Sequence, residues 1–582
     1  MEKSQHGHHW LERVRMNLSR SDALVTLAIL GLVTGLLAGG VIVAFRFAVE
    51  GTQAQFLPGG AVENYEALPG WLRFALPVAG GLLIGLLFRW ASGGIHMLGV
   101  ARVIERLTYH QGYISLRELV LQFVGAALAI ISGHSVGREG PHVHLGAASG
   151  SLLGQQLSLP NNCIRTLVGC GAAAGISASF NTPLAGVIFA LEVVMMEYSL
   201  ASFVPVILAA VSADALSILF FGSETLFKVP AHALTSLAEM PLVLVLGLTV
   251  GVAAAAFIQL YQFIGSRSKV LDFWWRTTLA GAIVGLCSLL VPQVMGVGYD
   301  TVNAALLGEL GLGLLLLLVL FKIVASAASG AMGIPGGMIA PSLFIGAATG
   351  AAVGVMVDML LPGIGISPGF YALLGMGAMM GASLQAPLAG LTAMLELTHS
   401  PAVVMPGMLA IVVAALTASE LFGKESIFIT VLKASGRDYR TNPVLQTLRS
   451  SGVGSIMRQN FVRHDRMISR EQAEALLANE PEWIIIDQEG QPSALTHAVD
   501  LARHVQSDEE EEGGVEEIDL MEIPAWREQI APINLQATLQ QALELLDSDP
   551  AEALYVERMT APGIHRIYGI LTREQVESAY RY

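Results

Sequence analysis

Charge is what this chain has least of. Only 14% of its 582 residues are Asp, Glu, Lys or Arg, where a soluble protein of this size carries about a quarter. With 53% hydrophobic residues and a mean hydropathy of +0.59, the composition excludes an ordinary soluble protein. Cysteine is nearly absent. Cys163, Cys170 and Cys287 all lie in apolar segments, which excludes a disulfide framework and a thiolate metal site and leaves them as small packing residues. The apolar segments contain no HExxH, no GxSxG and no paired aspartates, so an intramembrane enzyme would lack its nucleophile or metal. No cleavable signal peptide is expected, because the first apolar run is too long for one.

What is present is length with little charge. Ala23 to Val49, Leu242 to Tyr261 and Leu310 to Ala328 are apolar runs of the roughly 20 residues that a bilayer span requires. Shorter apolar segments, such as Val143 to Leu157, Pro183 to Met196 and Pro387 to Leu397, are broken by Gly or Pro and fit half-spans. The acidic excess is local. From Gly452 onward there are 25 Asp and Glu against 10 Lys and Arg, leaving 22 of each in the rest. Two parts in two solvents follow: a membrane part and an acidic tail unsuited to nucleic acid. Basic clusters (Lys3, Arg13, Arg15, Arg20; Arg267, Lys269, Arg276; Lys433, Arg437, Arg440, Arg449) place both termini in the cytoplasm, in a cell inner membrane. Residues 51–70 lack Lys and Arg and read as external.

The membrane part repeats itself. NTPLAGVIFALE (181–192) matches QAPLAGLTAMLE (385–396), LVGCGAAAGISASF (167–180) resembles LLGMGAMMGASL (373–384), and LGAASG (145–150) matches IGAATG (345–350). Duplicated halves with interrupted helices place their substrate at the repeat interface. Gly137-Arg138-Glu139-Gly140-Pro141 predicts a turn that opens a helix, whose free N–H groups would face an anion. Gly336 and Gly337, before Pro341, predict a second such turn, and Gly93 and Gly94 a third. An ionised Glu139 beside those donors would fill the anion site itself. Protonated, it could swing away, acting as a gate.

GREGP, GIPGGMIAP and the two PLAG blocks together make the chain resemble the CLC family of chloride channels and proton/chloride exchangers over residues 22–432. The tail resembles the family's paired CBS domains. The resemblance implies an all-α membrane fold of two inverted halves (about 22–221 and 240–432) with broken helices. It also implies a homodimer with one pore per subunit, in a lipid bilayer, passing inorganic anions. Around this part the expected boundaries are an N-terminus (1–21), a linker (433–452), an α+β CBS-like domain (453–506), an acidic linker (507–517) and a second CBS-like domain (518–582). In the tail, 482–487, 553–558 and 566–571 read as strands, and 469–480 and 535–547 as amphipathic helices.

The carry-over of residues is uneven. Glu139 stands at the gating glutamate. Arg138, Glu139 and Gly140 match the outer anion site, and Met338 and Ile339 the central one. Gly93 occupies the position of the family's serine, and Phe428 that of its tyrosine, so both side-chain hydroxyls are missing. Val193 stands where exchangers carry an internal acid; Glu192, one residue before, and His96 are the substitutes for a proton path. These losses favour a passive chloride channel gated by Glu139, with a proton-coupled exchanger as the alternative and a fluoride exporter as a remote one, since Pro141 is retained. His142 and His144 read as packing groups inside the helix. Glu192 and Glu396, equivalent in the repeat, read as ligands of neighbouring helix termini. No cofactor is required. An adenine nucleotide in the CBS pair is disfavoured, because Gln575 replaces the acid after Gly569 and Thr572, and Asp500 lies one residue late after Thr496; a dimerisation and coupling role fits better.

Overall fold

The computed structural model describes residues 24–60, 62–223, 226–227, 237–362, 366–437, 448–509, 517–561 and 564–579. The N-terminal basic cluster and most of the acidic linker (510–516) lie outside the described residues. The chain divides into two compact units, one of residues 25–157 and 164–440, the other built on 441–582.

The first unit is helical. In order its helices are α1 (Leu24–Phe56), α2 (Gly70–Ala91), α3 (Val100–Tyr109), α4 (Leu116–Ile131), α5 (Glu139–Gln156), α6 (Asn161–Phe180), α7 (Pro183–Phe189, extended by a π-turn to Met195) and α8 (Leu200–Phe221). The second half supplies α9 (Met240–Ser268), α10 (Phe273–Leu290), α11 (Tyr299–Leu306), α12 (Leu312–Ala331), α13 (Ile339–Leu360), α14 (Pro368–Met379), α15 (Pro387–Thr398), α16 (Val404–Leu416) and α17 (Ile427–Ala434). Among the described residues nine helices are long and apolar enough to cross a membrane. The repeat is structural. α5 and α13 begin at equivalent places, as do α7 and α15, the latter two each with Pro at the first turn, where its missing N–H costs no hydrogen bond.

Within each half, a pair of helices is pressed together through glycine. A Cβ on Gly171 would lie 1.9 Å from the Gly146 carbonyl, and one on Gly375 2.2 Å from the Gly346 carbonyl. So α5 touches α6, and α13 touches α14, backbone to backbone, by the small-residue packing that membrane helices use. The GAASG and GAATG blocks are the imprint of these contacts.

One expected element differs. The Gly93–Gly94 turn does not open a helix. Both glycines have positive φ (58° and 93°), and the chain runs on to Gly99, the N-cap of α3. That helix is amphipathic rather than apolar: Arg102, Glu105 and Arg106 lie on it, and the Glu105 carboxylate is buried and paired with Arg102 and Arg437.

The tail carries two β-α-β-β copies joined edge to edge. The first holds β1 (Phe461–Asp465), β2 (Met467–Ser469), α18 (Arg470–Leu477), β3 (Trp483–Gln488), β4 (Gln491–His497) and α19 (Ala498–Glu509). The second holds β5 (Glu517–Asp519), β6 (Arg527–Asn534), α20 (Leu539–Ser548), β7 (Ala553–Ala561), β8 (Ile564–Thr572) and α21 (Arg573–Ser578). The main sheet runs β1-β3-β4-β6-β7-β8, with β1/β3 and β6/β7 parallel. The expected domain boundaries need correcting, because the cores cross them. Leu448, Val453 and Met457 pack with the second copy, whereas Ile518, Leu520 and Ile523 pack with the first, where β5 pairs with β2. The bidentate Arg466–Asp519 pair beside that pairing holds the Asp519 carboxyl below its ordinary value. The pair therefore stabilises the tail fully above the unfolded carboxylate pKa of about 4, and its contribution is lost as pH falls below that through the lowered folded-state value.

Gly171→Val should lower the Tm in detergent and broaden the gel-filtration peak, since overpacking a tight core costs about 1–3 kcal/mol. Gly40→Ala, with nothing within 4 Å of the new Cβ, should leave both unchanged.

Candidate anion pathway

The two glycine turns of the repeats meet. Gly137 N–H donates to the Gly337 carbonyl and Gly337 N–H to the Gly137 carbonyl, both at 2.8 Å, forming an antiparallel bridge between the halves. Neither turn tolerates a side chain: a Cβ on Gly337 would lie 2.6 Å from Gly140 N, and one on Gly140 2.5 Å from the Gly337 Cα. The bridge sets the N-termini of α5 and α13 against each other. Neither helix has a side-chain cap, and their first i→i−4 bonds begin only at His142 and Ser342. The N–H groups of Glu139, Gly140, Ile339 and Ala340 therefore lack intrahelical acceptors. Two positive dipole ends meet in an apolar interior, and the ligand they suit is an anion.

In this structure the anion is a side chain. The Glu139 carboxylate is fully buried, with the N–H groups of Glu139 and Ala340 beside it. It also accepts a hydrogen bond from the Tyr299 hydroxyl. Arg138, its neighbour in sequence, does not pair with it; its Nη1 bonds Glu50 Oε1 at 2.8 Å, and its guanidinium lies 5.3 Å from the centre of the Tyr299 ring.

Tyr299 is held by a turn the sequence reading overlooked. Lys322, a lone cation in the apolar run of α12, is buried and donates to the carbonyls of Val294, Gly296 and Val297 at 3.2–3.3 Å. Its signal was there: a lysine within an apolar span carries a role by default. On the loop between α1 and α2, Glu63 Oε2 accepts from Gly298 N–H at 3.3 Å. Burial lifts the Glu63 carboxyl to about 7, against the opposing pull of Arg138 and Lys322.

Beneath Glu139 opens a cavity of about 330 Å³ lined by His96, Gly99, Gly140, Gly337, Met338 and Phe428, among others. It brings together four of the residues expected at the site: Gly140, Met338, Phe428 and His96. Ile339 is not among them. Its side chain packs into a separate apolar space with Phe180 and Phe227, which leaves only its backbone at the junction. Gly93 is displaced as well. It is exposed, and a Cβ there would meet the Arg117 guanidinium at 2.5 Å. The arm reaches the cavity with His96 to Ala101 instead. The helix N-terminus there is already occupied, because Gly99 N–H donates to Gln122 Oε1 (2.8 Å) and His144 Nδ1 (3.0 Å). His142 Nδ1 bonds the Ser179 hydroxyl at 2.5 Å.

Glu192 and Glu396 form a reciprocal clasp. Glu192 accepts from Leu388 N (3.0 Å) and Ala389 N (2.8 Å), at the start of α15. Glu396 accepts from Leu184 N and Ala185 N, both at 2.8 Å, at the start of α7. Each carboxylate thus caps the PLAG helix of the other half. Val193, beside Glu192, is buried.

Residues 80–419 match the family described as "Voltage gated chloride channel". The chain belongs to the CLC family. It is 37% identical over 421 residues to a provisionally named ClcB-like chloride channel protein of Ralstonia nicotianae, covering 71% of this chain and 97% of that one. It is 29% identical over 446 residues to the H(+)/Cl(-) exchange transporter ClcA of Vibrio parahaemolyticus, covering 74% of this chain and 94% of that one. A eukaryotic CLC transporter of known structure is similar in fold over 95% of this chain and 98% of its own, with a TM-score of 0.60 and 19% identity. The CLC fold therefore accommodates the α+β tail as well as the helices.

Tyr299→Phe removes one hydrogen bond to a charged group, about 1.5–3 kcal/mol, and should speed chloride efflux from liposomes severalfold at neutral pH. Glu192→Gln and Glu396→Gln should each lower the Tm in detergent while leaving residual chloride flux. Flux abolished in folded Glu192→Gln protein would instead assign that carboxylate to the ion path.

Proposed function

We propose that this CLC protein exchanges chloride for protons across the cell membrane, with Glu139 as the group that both ions must pass. The supporting observation is the position of that carboxylate, fully buried above a cavity that ends at Gly140 and Gly337. An anion leaving the cavity upward needs the backbone donors beside which the Glu139 carboxylate now sits. It gains them when the carboxylate takes a proton, loses its charge and withdraws. Chloride bound at the two helix ends would in turn keep the carboxylate displaced. One site thus serves two ligands of like charge, and the protonated side chain carries a proton in the step in which chloride takes its place.

The residues alone favour a passive channel, because Val193 offers no proton acceptor. The relatives named as proton/chloride exchange transporters shift the reading to exchange, and the cavity supplies a route. It reaches Gly140, the residue after Glu139, which offers a proton path that does not pass position 193. His96 lines the same cavity and is placed to relay protons at its mouth. Glu192 is committed to the clasp. The channel remains the second reading, carried by Val193, and Pro141 keeps a fluoride exporter remote.

The assembly we infer is a homodimer with one pathway per subunit and both termini in the cytoplasm. The tail reads as a CBS pair that couples subunits rather than a nucleotide sensor. Thr496 Oγ1 donates to the Trp526 carbonyl, and Thr572 and Gln575 form the capping box of α21, so the residues a nucleotide would use are engaged elsewhere.

Reconstituted protein under a chloride gradient should show a reversal potential that shifts when a pH gradient is added, and the pH gradient should drive chloride uphill. Glu139→Gln should retain chloride flux and lose proton movement, and Glu63→Gln should move the external-pH midpoint of flux. A potential that follows chloride alone would make the protein a channel.

A further inference from the structure

The cavity below Glu139 is electrically one-sided. Its lining includes Lys269 and Arg276 but no aspartate or glutamate. Lys269 donates to the Ala434 carbonyl at the end of α17. Arg276, in the first turn of α10, is less well satisfied. Its Nη2 reaches the Ala331 carbonyl at 3.3 Å, its Nε is buried with no partner, and no carboxylate among the described residues pairs with it. A guanidinium partly withdrawn from water without a counter-charge is costly, and planar N–H donors are suited to an anion.

Tyr261, on α9, faces the same cavity. Its ring and the Met338 side chain both crowd Gly330, where a Cβ would lie 2.7 Å from Tyr261 Cε2 and 2.8 Å from Met338 Cε. Arg276 lines that cavity too. The Tyr261 hydroxyl makes no hydrogen bond to a described residue, although the side chain is only 9% exposed. The cavity thus holds an underused guanidinium and an unused hydroxyl beside Met338. Neither Gly93 nor Phe428 carries a side-chain hydroxyl.

We propose that Arg276 and Tyr261 form an anion-binding station in the inner cavity, a charge and a hydroxyl from α10 and α9 taking over the work of the two missing hydroxyls. The station deepens the proposed function, since it rests on the cavity being the chloride route. It also fits the lining: chloride arriving from the cavity mouth meets Lys269, is held by Arg276 and Tyr261, and is passed toward the N-terminus of α13.

The test is chloride titration of the purified full-length protein by calorimetry, paired with the chloride dependence of liposome flux. We expect Arg276→Gln to weaken chloride binding at least tenfold and to raise the half-saturating chloride concentration with a smaller change in maximal rate. Tyr261→Phe, which keeps the ring, should weaken binding severalfold, and adding Phe428→Tyr to it should restore part of the loss. Arg276→Lys should fall between wild type and Arg276→Gln. If the wild type binds and transports chloride, and folded Tyr261→Phe and Arg276→Gln do so with unchanged half-saturation, the station is overturned while the pathway stands. A wild type that neither binds nor moves chloride overturns the pathway itself, and the station with it.

Discussion

Two helix N-termini held against each other in an apolar interior need negative charge, and the rest of the membrane unit follows from that need. The Gly137–Gly337 bridge fixes the distance between α5 and α13, and it leaves their first N–H groups without acceptors. Water would satisfy such groups on a surface; here the bulk solvent is remote. The donors must be met by an ion or by a side chain that imitates one. Glu139 is that imitation. Its placement at the first position of α5 sets the carboxylate beside the N–H groups of Glu139 and Ala340, where an anion would otherwise be needed.

The supporting structure can be read as the means of keeping that junction rigid. Glycine contacts press α5 onto α6 and α13 onto α14, so neither N-terminus can drift. The Glu192 and Glu396 clasp ties each half to the PLAG helix of the other. Lys322 gathers three carbonyls of the turn before Tyr299, which fixes the hydroxyl that holds Glu139. Each of these polar groups is inside or beside an apolar helix, where an unsatisfied donor or acceptor is expensive, and each finds its partner on an element distant in sequence. The charges omitted from the rest of the span are concentrated where they hold the site.

The lower cavity has a different logic. Above it the ligands are backbone groups, whose positions are fixed by helix geometry and tolerate side-chain change. Ile339 illustrates this: its side chain points into an apolar space, while its N–H remains at the junction. Within the cavity the ligands are side chains, which can be exchanged between helices so long as the charge stays in reach. Loss of a hydroxyl at one wall therefore need not abolish the site if another wall offers a donor.

The sequence by itself determined the spans, the repeat and the turn that carries Glu139. Those features depend on local information: apolar run length, glycine and proline at helix starts, and a carboxylate inside a turn. It also located the second turn at Gly337, because the helix signals after it match those after Gly137. What only tertiary structure decided are the partners. Nothing near Glu139 in sequence announces Tyr299, and nothing near Arg138 announces Glu50, because both pairings join helices far apart along the chain. Gly93 looked like a third helix opening by its spacing, yet the positive φ of Gly93 and Gly94 directs the chain outward and lets Gly99 cap α3 instead. In the tail, the strands at 483–488 and 553–561 were legible from β-branched and aromatic runs. The exchange of segments 448–457 and 518–523 between the two cores was not, because hydrophobic pattern specifies which residues are buried and not which core buries them.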